Sequence, residues 1–210
     1  MRLAGIILAT AISAMVWFGP DHALLAKVRG SWTSIPAEQV GVTHRPAKSM
    51  QRKLDHIREN SERAHPDPSP TVLTEDEVND YLASDRVELP QGVKKVTLQG
   101  RTGVVEGFVN VDFDEIRGKQ QASNPLLFLF TGRHLVRAEA DASGRGGQGK
   151  VHIRNVAIDG IDVPRVALEY FVQKYITPKY PGIGLDSQFQ LPNRVQTADV
   201  GYHKLTLTQR

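Results

Sequence analysis

Three stretches of the chain alternate polar and apolar residues with a period of two, and this pattern limits the fold more than any other feature. They are residues 103–113, 133–142 and 151–158. Such alternation is typical of strands with one face on a core and the other in water. Two further strands are predicted near the C-terminus, at 194–200 and 202–208. Strands joined by short turns pair antiparallel, so the pattern predicts an antiparallel sheet.

Two helices are predicted beside this sheet. Thr74 and Glu77 have the spacing of a capping box, which marks the start of the first helix. Pro164 is placed to begin a long helix ending near Ile176, because proline is favoured at the first helical position. The predicted fold class is therefore α+β, with a strongly curved antiparallel sheet wrapped around one long apolar helix and an N-terminal membrane helix.

The membrane helix is predicted from an uncharged, mostly apolar run at residues 3–19. A spanning helix needs about 20 apolar residues and a signal-peptide core about 7–15, so a signal anchor and a cleaved signal peptide both remain open. Trp17 and Phe18 stand where aromatic residues meet the membrane interface, which favours the anchor. We therefore expect a membrane-anchored, extracytoplasmic protein on the periplasmic or cell-surface side of a bacterium.

The chain is predicted to have three parts. Residues 1–20 form the signal anchor or signal peptide, 21–70 a basic tether with one helix near 47–64, and 71–210 an α+β domain. The basic excess of the tether is concentrated early in it, at Lys27, Arg29, Arg45, Lys48, Arg52 and Lys53. Each could contribute about 1 kcal/mol near an anionic membrane surface. A solvated linker is the alternative interpretation.

No pattern in the chain indicates catalysis. There is no cysteine, and the seven histidines lack metal-ligand spacing. Gly144, Gly146 and Gly149 fit G-x-G-x-x-G, but they connect two alternating strands and so predict a hairpin turn. We predict no catalytic residue, cofactor or metal site, and hence no enzyme. The folded part also lacks a basic stripe interleaved with aromatic residues, so no nucleic-acid partner is expected.

Two segments carry more apolar surface than one sheet needs. In the long helix, Arg165, Glu169 and Gln173 form a narrow polar strip, and most other positions are apolar. A helix covering one side of a sheet needs an apolar stripe of only about 100°. The run 126–130 adds five large apolar residues. Either the two segments bury each other in a core, or they line a groove. The predicted lipid-binding residues for a groove are Leu126, Phe128, Phe130, Val166, Tyr170, Phe171 and Tyr175.

Residues 72–82 resemble the opening helix of bacterial exported lipid-binding proteins of the tubular lipid-binding (TULIP) type, including YpmS-like and LmeA-like proteins. The matching pattern, T-x-x-E-[apolar]-N-x-[apolar]-L, consists here of Thr74, Glu77, Val78, Asn79, Tyr81 and Leu82. The unit 156–164 and the closing strands are also similar, and the resemblance covers about 71–208. It implies a long helix and a highly curved sheet around an elongated apolar cavity for acyl chains, without enzyme activity.

These observations lead to two hypotheses about function. The first is a membrane-tethered exported domain that binds a lipid or other apolar ligand in an elongated groove, with lipid transport as the role that the resemblance suggests. The alternative is an anchored scaffold or assembly subunit that uses the same apolar surfaces as a protein interface. The expected partner is a membrane lipid in the first case, and a protein or a second copy of the chain in the other.

Overall fold

The computed structural model describes residues 45–89, 91–117, 131–173, 177, 182 and 184–210. Among them, no helix combines the length and apolar character needed to span a membrane. The predicted anchor at 1–20 lies outside the described residues. The described residues form helices beside an antiparallel sheet, which confirms the α+β class.

The described helices are α1 (Arg45–Glu62), α2 (Glu75–Leu82), α3 (Phe113–Arg117) and α4 (Arg165–Phe171). The described strands are β1 (Thr71–Thr74), β2 (Val93–Arg101), β3 (Val104–Asp112), β4 (Arg133–Arg145), β5 (Gln148–Ile158), β6 (Ile161–Asp162), β7 (Asp186–Gln190), β8 (Val195–Gly201) and β9 (Lys204–Gln209). The five strands predicted from alternation are β3, β4, β5, β8 and β9, and all are confirmed.

The sheet branches at the end of β4. Strands β2 to β5 follow one another as antiparallel neighbours, and β7 continues beyond β5. β4 pairs with β3 as far as Asp141, and then pairs with β8 at Ser143 and Gly144. β8 leads through β9 to β1. The sheet therefore has two arms, β2–β3 and β8–β9–β1, that leave the same edge of β4.

One face of the sheet is the core, and the other face carries ion pairs. Val105 and Val109 on β3 are buried together with Ala140 on β4. On the opposite face, the Glu106 carboxylate accepts hydrogen bonds from Arg101, at 2.6 Å, and from Arg137. This division explains the alternation in the sequence, because successive side chains of a strand point to opposite faces.

Helix α1 packs on α2 and on the last strand. Met50, Leu54 and Ile57 are buried, and they share one helical face. Near the end of α1, the buried Asn60 donates a hydrogen bond to Oε1 of Gln209 on β9 at 2.9 Å. The predicted helix in the tether is thus confirmed, and its apolar face joins the same core as the strands. The division of the chain at residue 70 stays a prediction.

The long helix expected from Pro164 to Ile176 is described only over the seven residues of α4. Pro164 is the N-cap of α4 and not its first residue, and none of the α4 residues is fully buried. After α4, two residues continue as π-helix, and 174–176 lie outside the described residues. A sheet wrapped around a long apolar helix is therefore not seen in the described part of the chain.

Candidate functional site

An apolar cavity lies between the two arms of the sheet and α2. Its volume is about 80 Å³, and it opens to the protein surface. Its wall is almost wholly apolar and includes Leu73, Val78, Val105, Ala142, Val195 and Leu207. An occupant would therefore be held mainly by removal of apolar surface from water.

Two glycines allow the cavity wall to pack closely at the β4–β5 hairpin. A Cβ on Gly144 would lie 2.7 Å from the Cβ of Ala198, and a Cβ on Gly149 would lie 2.5 Å from the ring of Phe189. At Gly144 the close contact is with the Cβ and backbone N of Ala198, so β8 would have to move for any other residue, whereas at Gly149 the ring of Phe189 could turn aside. Gly146 and Gly147 form the turn, with φ of 58° and 78°. These values suit a type I′ hairpin, so the turn predicted from the G-x-G-x-x-G pattern is confirmed.

The mouth of the cavity near the β8–β9 turn holds charged groups. The Glu75 carboxylate accepts hydrogen bonds from the Gly100 N–H at 2.9 Å and from His203 Nδ1 at 2.7 Å. Lys204 lines the same mouth and is exposed. It forms no ion pair with any described residue. The site thus combines an apolar interior with a charged rim, an arrangement that suits an amphiphile.

Helix α2 is fixed beside the cavity by the residues of the T-x-x-E-x-N pattern. Thr74 and Glu77 exchange hydrogen bonds through their side chains and backbone N–H groups, which confirms the capping box. Asn79 donates from Nδ2 to the Leu98 carbonyl at 2.9 Å and accepts from the Leu98 N–H at 2.8 Å. Asn79 thereby covers the edge of β2 that pairs with none of the described strands. Spacing alone did not reveal this role.

Glu77 also joins α2 to α1. Its carboxylate accepts hydrogen bonds from Ser49 Oγ at 2.6 Å and Lys53 Nζ at 2.7 Å. Burial alone would raise the pKa of Glu77, but the hydrogen bonds from Lys53, Ser49 and the Thr74 backbone lower it to about 2. Glu77 is therefore ionised at neutral pH and serves to hold the two helices together. Lys53, unlike its neighbours Lys48 and Arg52, is engaged in this contact.

Histidine–carboxylate pairs connect other elements of the sheet. His134 on β4 contacts Asp159 in the β5–β6 turn, with 2.5 Å between Nδ1 and Oδ2. This hydrogen bond raises the pKa of His134 and lowers that of Asp159. His152 on β5 contacts Asp186 on β7, and the hydrogen bond from His152 lowers the pKa of Asp186. Each pair thus joins two segments that are distant in sequence.

The predicted lipid-binding residues that the structure describes lie away from the cavity. Val166 and Tyr170 on α4 are 77% and 45% exposed, and Phe171 is half-buried against the core. The other four, Leu126, Phe128, Phe130 and Tyr175, lie outside the described residues. As lipid contacts, all seven stay predictions.

Sequence reasoning did not identify the cavity, because its wall combines segments from both ends of the described chain. Leu73 belongs to β1, which was not predicted, while Leu207 belongs to the last strand. A partial signal was present in β9, where Leu205 and Leu207 alternate with threonines. Alternation shows that such residues face a core, but not which other segment they meet.

Comparison with known proteins adds no family assignment to this geometry. No protein-family model, curated protein or solved structure matches the chain. The likeness to TULIP-type proteins therefore remains a resemblance of sequence pattern.

Proposed function

We propose that the protein is a membrane-tethered, exported domain that binds a lipid or another apolar ligand, with lipid transport as its role. The observation that carries the proposal is the apolar cavity with a charged rim between the sheet arms and α2. Burying an acyl chain there would contribute about 0.8 kcal/mol per CH₂. The apolar run at 3–19 and the resemblance to TULIP-type proteins support the membrane setting.

The size of the cavity limits how much of a ligand enters it in this conformation. Its volume is about 80 Å³. An engineered apolar cavity of about 150 Å³ holds one benzene, and sites for whole small molecules reach about 300–1,000 Å³. The described state therefore accommodates the end of a chain. A longer groove requires side chains at the cavity wall to move, and the half-buried Phe189 is well placed to do so.

The test is native mass spectrometry of the full chain, combined with lipid extraction. We expect lipid to co-purify at one molecule per chain. Ala142 lines the cavity, so Ala142→Leu should lower the amount of bound lipid. Ala83 is exposed at the end of α2 and lies outside the cavity, so Ala83→Leu is the matched control. A stable, lipid-free monomer would overturn the proposal, and equal lipid in both variants would exclude this cavity as the site.

The alternative function, an anchored scaffold or assembly subunit, is favoured by a different observation. Besides Val166 and Tyr170, Ile161 and Leu135 are also exposed apolar residues, at 75% and 43%. Large apolar patches on a protein surface commonly mark interaction sites. Sedimentation of the full chain should then show association that rises with concentration and weakens in Val166→Asp. A monomer at all concentrations would contradict self-association through this surface.

A further inference from the structure

We infer that the cavity accepts one hydrocarbon chain of an anionic, single-chain amphiphile whose head group lies at Lys204. This inference rests on the proposed function and names its ligand class. Three properties of the site support it: the backbone contacts that bound the cavity, the size of the residues on its wall, and the charges at its rim.

Backbone hydrogen bonds hold β8 and the turn after it to the rest of the sheet along one edge of the cavity. At the hairpin side, β8 pairs with β4 at Ser143 and Gly144. At the mouth, the His203 N–H donates to the Gly100 carbonyl at 3.0 Å, and the Gly103 N–H donates to the Val200 carbonyl at 2.9 Å. The arms cannot separate without breaking these bonds. The cavity can therefore lengthen when side chains move, while this hydrogen-bonded edge limits its width.

The residues on the wall also define a narrow passage. Small side chains on β4 and β8, Ala142 and Ala198, leave the space that larger residues would fill. Close to them, the contact of Gly144 with Ala198 leaves no room for a single added methyl group. A lipid with two chains side by side needs about twice the cross-section of one chain. The bounded width of the cavity therefore favours a ligand with one chain.

The charges at the rim favour an anionic head group. Glu75 already accepts two hydrogen bonds, from Gly100 and His203. At the mouth, Lys204 also lines the cavity, and it is exposed and forms no ion pair with a described residue. Lys150, likewise exposed and without such an ion pair, lines the cavity at the hairpin side. The charge left to meet a ligand is thus positive. A carboxylate, as in a fatty acid, and a phosphate, as in a single-chain phospholipid, share the chemistry that these amines bind.

The experiment measures displacement of a polyene fatty acid that fluoresces in apolar surroundings. The full chain is held in an amphipathic polymer, which avoids competition from detergent. We expect one probe to bind per chain and to be displaced by palmitate or by a single-chain phosphate lipid, but not by a two-chain phosphatidic acid. The stronger of the two single-chain competitors identifies the head group.

The outcomes separate the inference from the proposed function. Equal displacement by the two-chain lipid would overturn the single-chain inference and leave lipid binding intact. Failure of the probe and of every lipid to bind would overturn both. Binding that persists unchanged in Ala142→Leu would show that the chain lies elsewhere, and Ala198→Val serves the same purpose if Ala142→Leu does not fold.

The head-group assignment has its own pair of variants. Lys204→Gln should weaken binding of palmitate about two- to fivefold, the range of an exposed ion pair, and leave a neutral fatty alcohol unaffected. Lys95 is exposed on β2 and lies outside the cavity, so Lys95→Gln is the matched control. Equal palmitate affinity in Lys204→Gln and Lys95→Gln would overturn the role of Lys204.

Discussion

Similar apolar residues are buried at one end of the sheet and exposed at the other. At the cavity, Leu73 on β1 is fully buried because β9 and α2 lie against it. Near β6, Leu135 on β4 remains 43% exposed, and Ile161 on β6 is more exposed still. All three belong to strands. The comparison teaches that a strand's own pattern does not decide whether its apolar residues are buried; the elements that cover the strand do.

This difference in burial follows from the strands and helices that lie over each end of the sheet. The cavity end has three paired strands, β8, β9 and β1, which return over the core. The described elements beside the other end are short: the five-residue α3, which contacts β4, and the two-residue β6, which pairs with β5. Short elements bury little area, so the apolar residues beside them keep contact with water. The first end should therefore determine stability, and the second should determine interactions.

The largest expected effect comes from a pair of leucine truncations at the two ends. Leu73→Ala should lower the free energy of unfolding by about 2–5 kcal/mol, because it enlarges a cavity in the core. Leu135→Ala should cost less than about 1 kcal/mol, because the side chain is partly in water already. Urea unfolding of both variants measures the difference. Similar losses of stability in the two variants would show that the surroundings of Leu135 are as well packed as those of Leu73.

The next effect concerns the contact between α1 and α2 beside the cavity. The pKa of Glu77 is lowered from its usual 4.5 to about 2 in the folded protein. Its ionised form therefore stabilises the fold fully above pH 4.5, and this contribution is lost as the pH falls towards 2. Glu77→Gln should lower the free energy of unfolding by about 2–3 kcal/mol at pH 7, with the difference from wild type vanishing near pH 2.

A control for this titration exists on the same helix pair. Glu59 on α1 is exposed and forms no ion pair with the described residues, so Glu59→Gln should leave the acid dependence unchanged. Urea unfolding between pH 7 and pH 2 compares the variants. An identical pH profile for Glu77→Gln and wild type would contradict the assignment of the acid-sensitive contact to Glu77.

Glycine substitutions give a smaller contrast between the ends. In Gly144→Ala the new Cβ would meet the backbone N of Ala198 at 2.9 Å, so β8 must shift, at a cost of about 1–3 kcal/mol. Gly160, in the turn before β6, has a φ of 83° but open space around it. Gly160→Ala should therefore show only backbone strain, about 1 kcal/mol. Thermal unfolding of both variants measures the two losses of stability. A smaller loss in Gly144→Ala than in Gly160→Ala would show that the cavity wall is loosely packed.

The smallest effect is a change of stability with pH near β6, opposite in sign to that of Glu77: stability falls as the pH rises. The hydrogen bond from Asp159 raises the pKa of His134 above its usual 6.5. The protonated His134 thus stabilises the fold fully below pH 6.5, and this contribution is lost as the pH rises through the raised pKa. Protection factors of the β4 and β5 amides, which correct for the intrinsic rise of hydrogen exchange with pH, should fall over this interval in wild type and not in His134→Ala. Constant protection of these amides in wild type would contradict a stabilising role for protonated His134.

The sequence predicted the long strands well, and it missed those that depend on a partner. β3, β4 and β5 are each nine or more residues long and contain long alternating stretches, so their periodicity is a strong signal. β1 has only four residues and β7 only five, with few apolar side chains between them. Their extended form depends on pairing with β9 and β5, which no local pattern encodes.

The candidate site was predicted less well than the fold. An apolar helix and an apolar run were expected to line a groove, since they carry the greatest excess of apolar residues. The cavity instead uses ordinary strand residues such as Val105 and Leu207, together with small residues such as Ala142. Small residues give a weak signal in a sequence, yet they create space once two strands lie opposite each other.

What the sequence determined by itself is therefore local. The capping box joins Thr74 to Glu77 across three residues, the hairpin turn needs only its own glycines, and alternation follows from the geometry of a single strand. The tertiary structure decided the rest: the branch at Gly144, the contact of Asn79 with β2, and the cavity. These features arise from excluded volume and hydrogen bonds between segments far apart in the chain. Their partners are not defined until the strands have paired.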